Sequence, residues 1–477
     1  MPRVSAARGN ARNVPSRWAG QNRRSPGSAE RGTACGRRLA AKACLGHFGQ
    51  VIRGGESPSE EFAASRMRRV APFIMAAILC AGPGPGLAQE VPANTVGTGC
   101  DEHSKSTRSP GAPFKIAVTY NSDVNAELTG GRRGVVYLQR LGFIGDADLA
   151  RVIGWSGATA HVSVHSIVGT GLSDRHVRNL LTVSGIEAKP ALRLFNLWIE
   201  QKVRGNLSIR AGQFTAAQEF AASTTANLLV NSTFGWPASF AVDLPNGGPA
   251  YPIAVPAVRL AALLDGGRTT IRAGVFAGDP RGRDLRGLAG WQFKSAPLMI
   301  AEFAQGAGGD DPAWSVVVGG WLSLDRFAAS LPNSDRTVEG NYALYGIVDV
   351  RLWRRGGRTA RGFARITYSP RDQNLVDRYA DAGVALAGLF RRRPKDEIGL
   401  AIAAAHISPY RPGGVLTASR PAEIALELSY QMHLTPRLDV QPNAQLILNA
   451  LDPDHARNAT QGRRSAVIFG IRTSFRS

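Results

Sequence analysis

Ile424-Ala-Leu-Glu-Leu-Ser-Tyr-Gln-Met432 puts Ile424, Leu426, Leu428, Tyr430 and Met432 on one parity and Ala425, Glu427, Ser429 and Gln431 on the other. Successive side chains of an extended chain point to opposite faces, so the stretch reads as a strand with one greasy and one hydrophilic face. After a turn at His433-Leu-Thr-Pro-Arg437 the pattern returns: Val440, Pro442, Ala444, Leu446 and Leu448 alternate with Asp439, Gln441, Asn443, Gln445 and Asn449. At the end of the chain Val467, Phe469, Ile471, Thr473 and Phe475 alternate with Ala466, Ile468, Gly470, Arg472 and Ser474.

Upstream the same period recurs. Phe114, Ile116, Val118 and Tyr120 share a face, Val162 and Val164 oppose His161, Ser163 and His165, and Ile271, Ala273 and Val275 oppose Arg272. Tyr342, Leu344, Val348, Val350 and Leu352 oppose Asp349 and Arg351, and Ala364, Ile366 and Tyr368 oppose Arg365 and Thr367. The 54 glycines among 477 residues exceed the usual share of about 7% and suit many strands and turns. Two architectures use such strands. A soluble sandwich buries the apolar face and wets the other; a membrane barrel shows lipid its apolar face and encloses the polar one. The barrel is favoured by charged and amide side chains on segments of about ten residues, the length a tilted strand needs to cross a bilayer. Tyr120, Trp155, Tyr342, Trp353, Tyr368 and Tyr430 fall near segment ends, as interfacial girdles require.

The N-terminal region supports export. Met67-Arg-Arg69 precedes an apolar run from Val70 to Ala81, then Gly-Pro-Gly-Pro-Gly and Leu87-Ala-Gln89, the order of a secretory signal peptide over residues 67–88. Pro72 and the Pro/Gly run argue against a buried core helix there. A helical membrane span needs about 20 apolar residues, and no segment after residue 89 supplies them. A closed barrel is the other structure that satisfies its backbone inside lipid. Residues 1–66, rich in Arg, Ala, Gly and Ser, read as an over-extended reading frame or a disordered basic extension, 89–113 as a linker, and 114–477 as the barrel. The formal charge of +21 is shared about equally between leader and mature chain, with +10 before residue 89 and +11 after it. Cys35, Cys44 and Cys80 lie before residue 89, leaving Cys100 without an intrachain disulfide partner.

The stretch Tyr120–Pro280 resembles the carbohydrate-selective porins of the OprB type. The matching pieces are Leu128-Thr-Gly-Gly131 with Gly134-Val-Val-Tyr137, Gly154-Trp-Ser-Gly157, Leu194-Phe-Asn-Leu-Trp-Ile-Glu-Gln201 and Leu207-Ser-Ile-Arg-Ala-Gly-Gln213 with Glu219-Phe220. Phe234-Gly235, Leu244-Pro-Asn-Gly-Gly-Pro249, Tyr251-Pro252 and Gly274-Val-Phe-Ala-Gly-Asp-Pro280 follow in order. Tyr379-Ala-Asp-Ala-Gly383, Gly388-Leu-Phe390, Glu427-Leu-Ser-Tyr430, Leu434-Thr-Pro436, Gln441-Pro-Asn443 and Gln445 continue the likeness. The resemblance implies an all-β, sixteen-stranded antiparallel transmembrane barrel in the cell outer membrane that passes sugars by diffusion, with no cofactor. Its implied partners are small-molecule sugars, outer-membrane lipid and lipopolysaccharide, and the barrel assembly machinery; oligomeric state is left open. Two features depart from the family: Arg476-Ser477 follows the terminal Phe475, and Thr215-Ala-Ala-Gln218 stands where acidic residues are common.

Candidate channel-lining residues are the polar members of the alternating segments: Glu200, Arg210, Arg272, Asp349, Arg365, Glu427, Asn443 and Gln445. Such groups exchange hydrogen bonds with sugar hydroxyls as water is shed, and must do so weakly enough to release. Phe195, Leu197, Ile199 and Val203 are expected to face lipid with Leu207, Ile209 and Ala211. If Arg204-Gly-Asn206 is a three-residue turn, Val203 pairs with Leu207 and Glu200 lies opposite Arg210, and reversing both charges together should keep the barrel folded and the current flowing. The chain carries no His-Glu-x-x-His, Gly-x-Ser-x-Gly or Walker sequence, so no enzyme is expected. His161, Ser163 and His165 read as polar lumenal side chains rather than metal ligands. Arg391-Arg-Arg-Pro-Lys395 reads as a solvated turn near lipid phosphates rather than a nucleic-acid patch. The rival readings are a general or anion-preferring porin, on the basic net charge, and an outer-membrane barrel hydrolase with nucleophile and base on facing strands.

Overall fold

The computed structural model describes residues 112–129, 133–203, 206–278, 286–288, 291, 295–307, 311–328, 337–409, 422–451 and 464–477. The basic extension at 1–66, the signal at 67–88 and most of the linker lie outside the described residues. Sixteen strands follow one another: β1 (Phe114–Thr129), β2 (Gly134–Asp148), β3 (Ala158–Gly169), β4 (Ala191–Val203), β5 (Leu207–Phe214), β6 (Val255–Leu264), β7 (Thr269–Phe276) and β8 (Leu298–Gly306). Then come β9 (Trp314–Ala328), β10 (Thr337–Arg355), β11 (Arg358–Tyr368), β12 (Val376–Ala387), β13 (Glu397–Ile407), β14 (Glu423–Thr435), β15 (Leu438–Ala450) and β16 (Arg464–Arg476). Each pairs antiparallel with its sequence neighbours, and β1 pairs with β16 to close the barrel. Closure leaves no sheet edge, so every strand's backbone groups find partners without water. No helix among the described residues is long and apolar enough to cross a membrane.

Tight turns such as 356–357 and 436–437 lie at the end holding the chain termini, and the long connections lie at the other; by the general rule for such barrels the short turns are periplasmic. The outer wall is the apolar parity. Ile116, Val258, Ile271, Leu344, Ile366, Leu428 and Phe469 are all exposed, while Glu427, Arg365 and Arg472 on the opposite parity are buried. Strand length is less uniform than the ten-residue expectation, from 8 residues in β5 to 19 in β10. Phe195 departs from the expected lipid face. The register of β3 and β4 shifts between Ser163 and Val164, and this bulge turns Phe195 inward, where its ring stacks on His165 at 4.3 Å.

The ladder does not stop at Phe475. Arg476 N–H donates to the Arg437 carbonyl at 3.0 Å, Ser477 N–H to the Val118 carbonyl at 3.0 Å, and Val118 N–H to Ser477 Oγ at 2.9 Å. The two residues after the terminal aromatic thus lengthen the β1–β16 seam.

Two connections fold against the inner wall. One joins β3 to β4 and carries Leu172, Val177, Leu181, Val183 and Ile186, all buried. The other, residues 215–254, begins at the top of short β5 and returns to β6, its base held where Ala216 N–H donates to the Pro249 carbonyl at 2.7 Å. This insert is stitched from short helical turns, including Ser232–Gly235 and Ala238–Asp243. Its apolar side chains form two cores with inward residues of the wall. Phe234 packs with Phe363, Tyr379, Ile447 and Ile468, and Phe240 with Trp321, Tyr345 and Ile347.

Candidate solute channel

Each of the eight candidate residues sits on the inward parity of its strand. On β4 and β5 Val203 lies opposite Leu207 and Glu200 opposite Arg210. Arg210 Nε donates to Glu200 at 2.9 Å, and Arg210 Nη1 reaches Glu219 of the insert at 2.6 Å. Arg259, opposite Arg210 on β6, bridges the same two carboxylates at 3.1 and 3.2 Å and donates to Ser208 Oγ at 2.6 Å. Two guanidiniums and two carboxylates therefore form one charge-balanced group on the periplasmic half of the wall. Glu219 and Arg259 extend the expected pair; the only sequence sign of the former was its nearness to the Arg-Ala-Gly212 motif.

Arg210 also lies 3.8 Å over the Trp198 ring, whose other face stacks on His161 at 4.7 Å, and His161 Nδ1 is 2.7 Å from Asp146. Cation–π attraction and stacking hold this column flat against the wall. Gly212 is what lets it form: it pairs with Trp198 at φ +143, and a Cβ there would stand 2.6 Å from Trp198 Cα and 2.2 Å from the Leu197 carbonyl.

The other candidates dock the insert. Arg272 donates to Glu302 at 2.9 Å, and Glu302 also accepts from Ala221 N–H and Tyr345 O–H, each at 2.9 Å. Asp349 accepts from Ser223 O–H at 2.7 Å and Thr225 N–H at 3.1 Å. Arg365, fully buried, pairs with Asp381 and donates to the carbonyls of Ala221, Thr233 and Phe234 at 2.9, 2.9 and 3.0 Å. Glu427 takes the N–H groups of Val230 and Asn231 at 2.6 and 2.8 Å. Gln445 accepts from Asn231 at 3.0 Å, donates to the Val183 carbonyl at 2.9 Å and donates to Asn443 at 3.3 Å. Charged hydrogen bonds of this kind replace the water that the insert's backbone loses on entering the barrel.

Of the eight, Glu200 and Arg272 stay partly exposed, at 15% and 32% of their side chains; Arg210, Asp349, Arg365, Glu427, Asn443 and Gln445 are buried. The insert docks on inward residues of β8 to β15, from Glu302 to Gln445. On the opposite side Lys115, Thr119, Asn121, Arg140 and Asp146 keep half-exposed inward side chains. Arg140 sits 5.5 Å over the ring of Tyr251, which the insert presents, and Tyr251 O–H donates to the Ile186 carbonyl at 3.2 Å. The accessible inward groups of this wall thus lie toward the short-turn end of β1, β2 and β4, while Asp123, Asn125, Glu127, His161 and His165 are buried. They carry both signs of charge beside an aromatic ring.

Known proteins place this architecture. The chain is 25% identical to Porin B of Pseudomonas aeruginosa over 362 residues, which are 65% of this chain and 77% of that one. Its fold matches the high-pH structure of Pseudomonas putida OprB with a TM-score of 0.65 at 19% identity, over 76% of this chain and 94% of that one. Residues 132–476, most of the barrel, match the carbohydrate-selective porin, OprB family, to which the chain therefore belongs.

Proposed function

We propose that sugars of glucose size diffuse through this outer-membrane channel along the β1–β5 side of the lumen, meeting Glu200, Arg140, Asp146 and Tyr251 on the way and Arg272 across it. The observation that supports this route is the contrast between the insert's docking groups Asp349, Arg365, Glu427 and Gln445, which are buried, and Lys115, Asn121, Arg140, Asp146, Glu200 and Tyr251, which stay partly exposed across the lumen. Guanidinium and carboxylate groups exchange hydrogen bonds with hydroxyls, and the Tyr251 ring offers a face to the apolar side of a pyranose. Contacts that are several and individually weak suit passage rather than capture. Arg210, Asp349, Arg365, Glu427 and Gln445 act one step removed, by fixing the insert's position, and Asn443 accepts from Gln445. Family and fold are those of a channel rather than an enzyme. Its surroundings are outer-membrane lipid with lipopolysaccharide, and the barrel assembly machinery inserts it. Liposomes carrying the protein should swell in isotonic glucose. Swelling in small salts but not in glucose or other neutral monosaccharides would replace the sugar route by a general or anion-preferring pore.

A further inference from the structure

Three guanidiniums converge on one carboxylate at the periplasmic mouth. Arg361 Nη2 lies 2.7 Å from Asp311 Oδ1, Arg351 Nη1 lies 3.2 Å from Asp311 Oδ2, and Arg354 closes on the same oxygen. Arg351 and Arg361 are direct partners across β10 and β11. Arg351 follows Asp349 on the same parity, and Asp349 binds the insert inside the lumen, so these guanidiniums spring from the inner wall. Arg351 N–H also donates to the Ala313 carbonyl at 2.7 Å, pinning the β8–β9 connection that carries Asp311. Partial burial would raise the Asp311 carboxyl, but Arg361 and Arg354 outweigh it and hold it below the usual carboxylate range. One permanent anion thus sits among three permanent cations, with two positive charges left over. Arg355, Arg358, Arg391, Arg392 and Lys395 stand exposed on the neighbouring turns, adding to the same field. All four members of the group are reached by water, Asp311 more than Arg351 or Arg361.

Asp311 shows what the three arginines are arranged to hold: a planar oxyanion met by several N–H groups at once. We propose that Arg351, Arg354 and Arg361 form an anion site at the periplasmic mouth that engages the carboxylate or phosphate of a charged sugar leaving the channel, with Asp311 as the internal competitor that keeps the hold weak. The proposal rests on the sugar-channel reading and adds charged sugars to its substrates. The same oxyanion chemistry could be offered by a phospholipid headgroup of the inner leaflet; the inward origin of Arg351 and Arg361 favours the solute.

The test is single-channel conductance of the full barrel in zwitterionic lipid, with gluconate or glucose 6-phosphate added to one side at a time. Expected is a block stronger from the short-turn side, tightened about 3- to 10-fold in Asp311→Asn and lost in Arg351→Gln/Arg361→Gln, since two leftover positive charges become three or none. Arg354→Gln, exposed near the end of β10, should weaken the block by itself and serves if the double variant does not assemble. An equal block in wild type, Asp311→Asn and Arg354→Gln overturns the proposal, as does a block abolished by phosphatidylglycerol in the bilayer, which would assign the site to a lipid headgroup. Glucose passage should be the same in all variants; loss of glucose passage in the wild type would sink the sugar-channel reading instead.

Discussion

Glu200 and Arg210 face each other across β4 and β5 and are joined by a 2.9 Å hydrogen bond, but Arg210 is shared, with Glu219 at 2.6 Å and the Trp198 ring at 3.8 Å. Exchanging the two charges would leave an isolated pair intact. Here Glu200→Arg/Arg210→Glu brings a new carboxylate beside Glu219 and a new guanidinium beside Arg259. Breaking a buried ion pair costs about 3–5 kcal/mol, and the exchanged double variant should lose that much despite keeping its net charge. Thermal unfolding in detergent micelles reads it: a double variant melting with the wild type would mean that Glu219 and Arg259 are bystanders. Arg210→Ala, which leaves two carboxylates to one guanidinium, should move the reversal potential toward cation selectivity.

Arg365 binds the wall to three carbonyls of the insert while pairing with Asp381. Arg365→Ala strands a fully buried carboxylate and releases the segment from Ala221 to Phe234. Conductance should rise and become noisier, because the insert no longer holds one position, and Arg365→Lys should restore only part of the quiet current since an ammonium cannot span the same acceptors. An unchanged, quiet conductance in Arg365→Ala would show that the apolar cores alone hold the insert.

Legibility divides along the same line. The faces of β14, β15 and β16 could be read because lipid contact imposes a strict period of 2, and a one-residue slip would put Leu428 and Glu427 in each other's place. The Glu200–Arg210 register could be read because a three-residue turn leaves one pairing that aligns both apolar faces. The insert could not. Phe220, Phe234, Trp236 and Phe240 lie in turns and short helical segments without a period, and the wall residues of their two cores, Phe363, Ile447 and Ile468 with Phe234 and Trp321, Tyr345 and Ile347 with the other three, lie on the parity that ought to be wet. Inward apolar residues on a barrel strand have no local meaning until the segment that covers them is known. Arg365, Glu427 and Gln445 were therefore visible as inward polar groups, while their work in docking the insert was not. The inward turn of Phe195 is hidden for a smaller reason: a bulge leaves no trace in composition.

Leu428 and Glu427 are adjacent yet lie in different media, Leu428 half-exposed on the outer wall and Glu427 1% exposed within. Leu428→Arg should cost about 2–4 kcal/mol if it lies at the bilayer midplane, and less toward the interface. With Cys100 removed, a cysteine at 428 should resist a water-soluble thiol reagent that a lipid-soluble one overcomes. Equal labelling by the water-soluble reagent before and after reconstitution would contradict the outward assignment.

Export makes a separate demand. The charged, apolar and small-residue order of 67–88 predicts a mature chain that begins near Gln89. Intact mass of the outer-membrane species checks it, and a species that keeps residues 1–66 would remove both the signal and the over-extended frame.

Glu187 gives the β3–β4 connection a pH dependence. Its Oε1 accepts from the backbone N–H groups of Ser173 and Asp174 at 2.8 and 3.2 Å, while buried Oε2 has no hydrogen-bond partner among the described residues. Burial pushes the carboxyl up from 4.5 to about 7, against the lowering effect of the two N–H groups. A carboxyl raised on folding favours the docked connection while it stays protonated. Its contribution is full below about 4.5, where the undocked chain is protonated too, and is lost as pH rises toward 7, because the undocked carboxylate ionises first. Hydrogen exchange of residues 173–187 should therefore quicken, beyond its intrinsic pH dependence, between pH 4.5 and 7 and level off above. Glu187→Gln keeps an acceptor for Ser173 and Asp174 but cannot ionise, so the protection of those two N–H groups should stay flat across that range. A wild type as flat as Glu187→Gln would mean that the carboxyl ionises freely and that water reaches Oε2.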